Sequence, residues 1–244
     1  MIAFDIETGP LSDEEIRKQV KPFEPPKHPG VFDPDSVKTG NLKDPAKIRA
    51  KIQDAYAAHE RACNEYESNV ESLKCDWWAS VVGSAALSPL TGRILAIGYL
   101  STDTSALALD IGDEEPMLRR FWSQYEKCKS EGRLLVGHNI AAFDVPFIIR
   151  RSWIHGMCIP GGVIERNRID YKVFVDTMHT WACGNREMVS LDALCRAFGV
   201  QGKPDGVDGS MFADLLKTDR ETAEYYLTND LNMTVRVAEQ MGIV

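Results

Sequence analysis

The 244-residue chain has no Cys-x-x-Cys pair, no Cys/His spacing of a zinc site and only five histidines, none of them four residues from another. A zinc hydrolase, which needs clustered thiolate or imidazole ligands, is disfavoured. The six cysteines (Cys63, Cys75, Cys128, Cys158, Cys183 and Cys195) are widely spaced and read as reduced, mostly packed thiols. There is no basic excess either: 28 Lys and Arg stand against 36 Asp and Glu, a net charge of -8. That argues against a broad surface that coats nucleic acid regardless of sequence. It leaves room for an enzyme that grips only a strand end, particularly if bound metals offset clustered carboxylates. No internal repeat or low-complexity tract occurs. The first residues show no basic region leading into an apolar segment and cleavage site, and no apolar run approaches the ~20 residues of a membrane span. A cytoplasmic protein with no membrane contact is expected.

What is present is ordinary globular material, 44% hydrophobic and 26% charged, in a length that builds one sizeable core or one domain with a large insertion. Residues 2–6 read as a short buried strand. From Gly9 to about Gly92 the chain changes character, with Pro10, Pro22, Pro25, Pro26, Pro29 and Pro34 marking irregular structure. Asp44-Pro45 then supplies an N-cap and first-turn proline. Ile48, Ile52, Ala55, His59, Ala62, Tyr66, Val70 and Leu73 follow at spacings of three and four, which predicts one long helix over about 45–74. Its stripe is narrow, so it is expected to pack along one surface or against a partner. Strands are predicted at 93–100, 106–109, 134–137 and 173–175, and helices at 114–130, 145–155, 190–198 and 220–241. Ser190 serves as N-cap and Gly199 as stop for the third of these helices. This order gives the α/β class, a mixed sheet with helices against it.

Within that frame the opening Phe4-Asp5-Ile6-Glu7-Thr8 holds two carboxylates one residue apart. In a strand, side chains at i and i+2 leave the same face, with Cα atoms roughly 6.6 Å apart. Like charges so placed call for a cation or a shifted pKa, unless the strand is simply a solvated edge. A second group, His138-Asn139-Ile140-Ala141-Ala142-Phe143-Asp144, leaves a buried strand and enters a helix. Asp144 reads there as a helix cap followed by Pro146 in the first turn. It also reads as a ligand beyond a strand end, where Asn139 offers an amide and Phe143 a flat apolar surface suited to a nucleotide. The third group, Tyr226-Leu227-Thr228-Asn229-Asp230, puts a hydroxyl and a carboxylate four apart on one helical face.

The three groups in this order resemble the DnaQ-like 3'-5' exonucleases, in the DEDDy subgroup with four acidic residues and a tyrosine. The opening motif looks most like the exonuclease domain of family B DNA polymerases. The stretch from Val175-Asp176-Thr177-Met178 through Ser190-Leu191-Asp192-Ala193-Leu194 to Asp230 is similar to predicted free-standing exonucleases related to that domain. The resemblance covers residues 1–8 and about 93–241. It implies a ribonuclease H-like mixed five-stranded sheet with flanking helices, in a single exonuclease domain over 1–244 with a large helical insertion at 9–92 after the first strand. It implies that Asp5, Glu7, Asp144 and Asp230 bind two divalent ions, Mg2+ or Mn2+, and that Tyr226 orients the attacking water. Thr8, Asn139 and Phe143 would border the terminal nucleotide. A related subgroup has histidine five residues before the last aspartate, where this chain has Tyr225, so the histidine variant is excluded.

The implied activity is 3'-5' hydrolysis of single-stranded DNA to nucleoside monophosphates, of a proofreading or repair type. The rivals are the same chemistry on RNA, or an inactive nucleic-acid-binding or scaffold module. Partners are single-stranded DNA 3' ends, with RNA as the alternative, and a polymerase, helicase or second copy docking on the insertion helix. Other residues carry two readings each. Asp176 is a strand-end cap or a support to the site, and His138 a structural residue before a ligand. Lys203 lies in a solvated loop or against a phosphate, and Arg150, Arg151, Arg166 and Arg168 are scattered surface charges or a positive rim. Trp77-Trp78 packs the insertion or stacks bases.

Overall fold

The first strand, β1 (Ile2–Pro10), runs four residues beyond the expected Ile6 because β2 (Gly92–Ser101) pairs antiparallel with all of it, from Ile2↔Ser101 to Pro10↔Gly92. Pro10, as the last residue, costs the ladder no needed amide. The computed structural model describes residues 1–165, 168–202 and 209–243, in two compact units: Met1–Gln19 with Ala85–Val244, and Val20–Ser84. The separate unit is therefore narrower than the expected 9–92 excursion. Residues 9–19, with the short helix α1 (Asp13–Gln19) and its fully buried Ile16, belong to the main unit.

The helix α2 (Pro45–Ala85), all but its last residue in the smaller unit, is 41 residues long, so the helix expected to stop at 74 continues for three more turns. Its N-terminus is built as anticipated, with Asp44 accepting from the Ala46 amide at 2.9 Å. The half-buried stripe is Ile48, Ile52, Ala55, His59, Cys63, Tyr66 and Val70. The proline-rich segment runs back along it: Phe23 meets Trp77, His28 meets Tyr66, and Phe32 meets Tyr56 and His59. The chain's own preceding segment thus lies on the narrow stripe, and Trp77 and Trp78 contact each other, 5.8 Å between centroids.

In the main unit, β3 (Leu107–Ile111) extends the sheet beyond β2, and α3 (Glu114–Glu131) follows, ending at the left-handed Gly132. Then come β4 (Leu135–Gly137), α4 (Asp144–Ile154), a small hairpin of β5 (Ile164–Glu165) and β6 (Arg168–Ile169), and β7 (Phe174–Asp176). The last elements are α5 (Thr177–Ala182), α6 (Leu191–Phe198), α7 (Phe212–Thr218) and α8 (Arg220–Gln240). The five-stranded sheet has order β3-β2-β1-β4-β7, antiparallel across β1–β2–β3 and parallel across β1–β4–β7. The mixed α/β sheet is as expected, with β1 at its centre.

Alternation along β1 sorts the two faces. Ile2, Phe4 and Ile6 join the large core with Phe121 and Tyr125 of α3 and Phe147 and Ile148 of α4. Ala3 faces the other way, onto Leu231 and Val235 of α8. The close approach of α8 depends on a glycine: a Cβ on Gly98 of β2 would stand 2.8 Å from Leu231 and 3.0 Å from Leu227. Gly98 pairs with Asp5, so the sheet presents no side chain from β2 where α8 passes Asp5.

The cysteines are less packed than expected. None of the six forms a disulfide, but only Cys128 and Cys195 are buried, while Cys75, Cys158 and Cys183 are exposed loop or helix-surface thiols. Arg151 also departs from the rim reading: it is 5% exposed and makes a bidentate pair with buried Glu114, at 2.9 and 2.6 Å. Arg150 and Arg168 are exposed. Arg166 and Lys203 lie outside the described residues.

Candidate active site

Asp5 and Glu7 lie on the α8 side of the central strand, and Asp230 comes to them from α8. Each of the three offers one carboxylate oxygen, and these atoms all lie within 4.8 Å of one another. Glu7 is 7% and Asp230 8% exposed. The register between β1 and β2 shifts at Glu7/Thr8, where Ala96 and Ile94 are the successive partners and Leu95 is left over. Such a bulge re-aims side chains beside it, here at the Glu7 end of the cluster. Three carboxylates in this volume repel one another, and an all-oxygen donor set suits a hard divalent cation. Their spread is close to the about 4.2 Å between opposite ligands of one octahedral Mg2+.

Tyr226 is one turn before Asp230. Its ring is buried with Ala96, Phe212, Ala223 and Leu227. Its hydroxyl and Glu7 Oε2 both face Gly209, at 3.7 and 3.9 Å from where a Cβ on that residue would stand. Gly209 is a wall of the site that nothing in the sequence marked, since it lies outside all three motifs. Tyr225 is 59% exposed, turned away from this packed face.

Asp144 is placed differently from the other three acids and is not a helix cap. The cap residue of α4 is Phe143, which makes no side-chain capping bond, and Asp144 is the first helical residue. Its Oδ1 accepts from the Ile6 amide at 3.1 Å, between Asp5 and Glu7 in the chain. The reason is strand length. β4 pairs with β1 only at Ile2 and Ala3, so the later β1 amides on that side need another acceptor. Asp144 supplies it, 3% exposed and adjoining the three-carboxylate set without belonging to it.

Burial pushes the Asp144 carboxyl up to about 7, with the Ile6 amide pulling the other way and Asp176 adding repulsion. A folded-state pKa above the unfolded value means that the folded protein binds the extra proton between the two. Stability of the metal-free protein is therefore expected to fall as pH rises from about 4 to about 7, and Asp144→Asn is expected to flatten that slope. Urea titrations in chelator at several pH values check it; equal slopes for the two proteins would refute it.

The loop before Asp144 carries the remaining predicted residues. Asn139 has a left-handed backbone (φ 63), and its Oδ1 is buried with no hydrogen-bond partner among the described residues. Phe143 is half-buried, packed on Phe147 at 5.5 Å between centroids. The Thr8 hydroxyl donates to the Ala86 carbonyl at 2.8 Å, so that side chain is engaged within the protein. His138 is bonded to Thr177 Oγ1 at 2.9 Å and to the Val189 carbonyl at 2.8 Å, a structural residue as expected. Asp176 caps α5, the first of its two readings, and also accepts the Asn139 and Ala141 amides of the loop before α4.

A central strand carrying two acids, a third acid on the last helix across the sheet, and helices on both faces define an RNase H-like domain of the nuclease type. The family model RNase_H_2, of the RNase_H superfamily, matches residues 84–239, and the chain belongs to that superfamily. The match includes Asp144, Tyr226 and Asp230 but begins after Asp5 and Glu7. Among solved structures, the family B DNA polymerase from the hyperthermophilic archaeon Pyrobaculum calidifontis aligns with 65% of this chain at a TM-score of 0.52 and 17% identity. The likeness is one of fold, and it spans 23% of the polymerase chain. A search of curated protein sequences gave no match. Among the described residues no helix is long and apolar enough to cross a membrane.

Proposed function

We propose that this protein is a metal-dependent 3'-5' exonuclease that hydrolyses single-stranded DNA from the 3' end to nucleoside monophosphates, in proofreading or repair. The observation that carries the reading is the meeting of Asp5, Glu7 and Asp230, from opposite ends of the chain, within 4.8 Å beside the Tyr226 hydroxyl. These three acids with Asp144 would hold two divalent ions, Mg2+ or Mn2+. Such ions would make a water nucleophilic at neutral pH and offset charge on the leaving oxygen of an in-line displacement at phosphorus.

The protein's own groups do the rest. Tyr226, its ring fixed by packing, holds the attacking water by a hydrogen bond, a part its phenol can play as donor or acceptor. Asp144 keeps the Ile6 backbone in place between the two β1 acids, which sets their spacing. Asn139 offers its amide to the terminal nucleotide, Phe143 a ring face for its base, and Thr8 its backbone. Polarity and substrate rest on the motif resemblance, which the superfamily match supports.

The test is a shortening ladder. Matched 5'-labelled single-stranded DNA, duplex DNA and RNA are incubated with Mg2+ or Mn2+, with Glu7→Gln as the control. Stepwise shortening of single-stranded DNA, absent in the control, is expected. Shortening of RNA alone would reassign the substrate. No degradation together with no Mn2+ binding would leave a binding module.

A further inference from the structure

One carboxylate outside the acid cluster organises the loop that the proposed exonuclease site uses. Asp176 ends β7 level with Gly137, the last residue of β4, and is 5% exposed. Its Oδ1 accepts from the Asn139 amide at 3.0 Å and from Met178 and His179 at 2.9 and 3.4 Å. Its Oδ2 accepts from the Ala141 amide at 2.9 Å. The first and last of these bonds hold the amides of the left-handed residue itself and of the residue two further on, in a loop that leads to Phe143 and Asp144. A non-glycine residue at positive φ is uncommon and persists when its surroundings fix it, although asparagine tolerates the region better than most. Carboxylate bonds to two amides two residues apart do that fixing. Charge-assisted bonds are shorter and stronger than neutral ones, so the arrangement is stiff.

The neighbours reinforce one side of the clamp. Thr177 donates to the Gly137 carbonyl at 3.2 Å, and Thr180 donates to the Asp176 carbonyl at 2.9 Å. The α5 cap alone would need only the Met178 and His179 amides. The two bonds to the 139–141 loop are extra to that task, and their effect is to orient Asn139, whose buried Oδ1 has no partner among the described residues.

We propose that Asp176 is a positioning residue for substrate: it acts through Asn139, holding that amide where the 3'-terminal nucleotide binds. This rests on the exonuclease reading of the site. Asp176→Asn keeps the shape but replaces one acceptor by an NH2 group facing an amide N–H. Behind metal ligands, loss of a supporting bond typically costs 10- to 100-fold in affinity or activity, and the lower end, about tenfold, is expected behind an amide.

The experiment measures binding of a fluorescent single-stranded oligonucleotide without turnover, in an Asp230→Ala background, together with KM and kcat in the otherwise intact protein. Asp176→Asn is expected to weaken binding and raise KM about tenfold while kcat changes less than about threefold. The deciding arm is a double-mutant cycle: in Asn139→Ala, the same Asp176→Asn change is expected to add nothing further to KM, because residues acting as a unit are non-additive. Thr180→Val, which touches only the α5 side, is expected to lower the melting temperature with KM unchanged. If Asp176→Asn does not fold, Asn139→Ala and Thr180→Val still decide. Asn139→Ala without effect on binding, or Thr180→Val with the full KM effect, overturns the proposal. Additive KM effects of Asp176 and Asn139 also overturn it. If the unaltered protein degrades no nucleic acid, the exonuclease reading fails and takes the proposal with it. If it degrades DNA while Asp176→Asn binds normally, only the proposal fails.

Discussion

Asp230→Ala is expected to abolish metal-dependent degradation, a loss on the order of 10³-fold or more, while the protein stays folded. Removing one ligand from a shared site costs the transition state several kcal/mol of charge stabilisation, and about 4 kcal/mol already corresponds to 10³ in rate. The fold survives because α8 is held elsewhere, by Leu227 and Leu231 over Gly98, by Val235 beside Ala3, and by Met233 and Val237 against α6. The change also removes one of three like charges from a small volume. The metal-free melting temperature should therefore hold, while the upward shift produced by Mn2+ in the unaltered protein should vanish. Thermal melts with and without Mn2+, beside the oligonucleotide ladder, read both effects. Undiminished degradation by the folded variant would remove Asp230 from the site.

Arg151→Met is expected to give the largest loss of stability. Glu114, 9% exposed, accepts from both sides of the Arg151 guanidinium, from the Ile94 amide at 2.8 Å and from His155 at 2.8 Å. Arg151 also donates to the Pro89 carbonyl at 3.0 Å. One buried pair thus ties α3, α4, β2 and the turn before β2. Burial alone would raise the Glu114 carboxyl, but Arg151, the Ile94 amide and His155 outweigh it and hold it below its usual value. A depressed folded pKa gives stability that is present above the unfolded value and is lost as pH falls. Removing arginine leaves that charge buried, at a cost of about 3–5 kcal/mol. In a unit of this size that lowers the melting temperature by about 6–20 °C. Glu114→Met with Arg151→Met should recover most of the loss, since a well-packed apolar pair replaces the ions without leaving either alone. A double variant as unstable as the single one would contradict this.

Arg150-Arg151 looks like two exposed charges on a helix, and only the position of Glu114 across the core makes one of them internal. Short-range patterns read more reliably. Asp44-Pro45 and Ser190 with Gly199 mark helix ends because capping chemistry is confined to a turn or so of chain. The far end of α2 did not read, since its stripe loses its period near Lys74 and the helix runs on through Gly83, with no proline before Pro89. Helices of six and seven residues, α5 and α7, carry too few periods to register.

By itself the sequence determined which acids share a local face. Alternation along a strand puts Asp5 and Glu7 on one side, and helical pitch puts Tyr226 and Asp230 together; both follow from backbone geometry within a few residues. Only the tertiary structure decided what those faces meet. α8 can pass over β1 because Ala3 and Gly98 leave room for it, and this brings Asp230 to the pair. β4 ends after three residues, and this turns Asp144 toward the Ile6 amide as acceptor in place of capping α4. Both outcomes depend on the space and the unpaired backbone groups left by distant segments, which a local pattern does not encode.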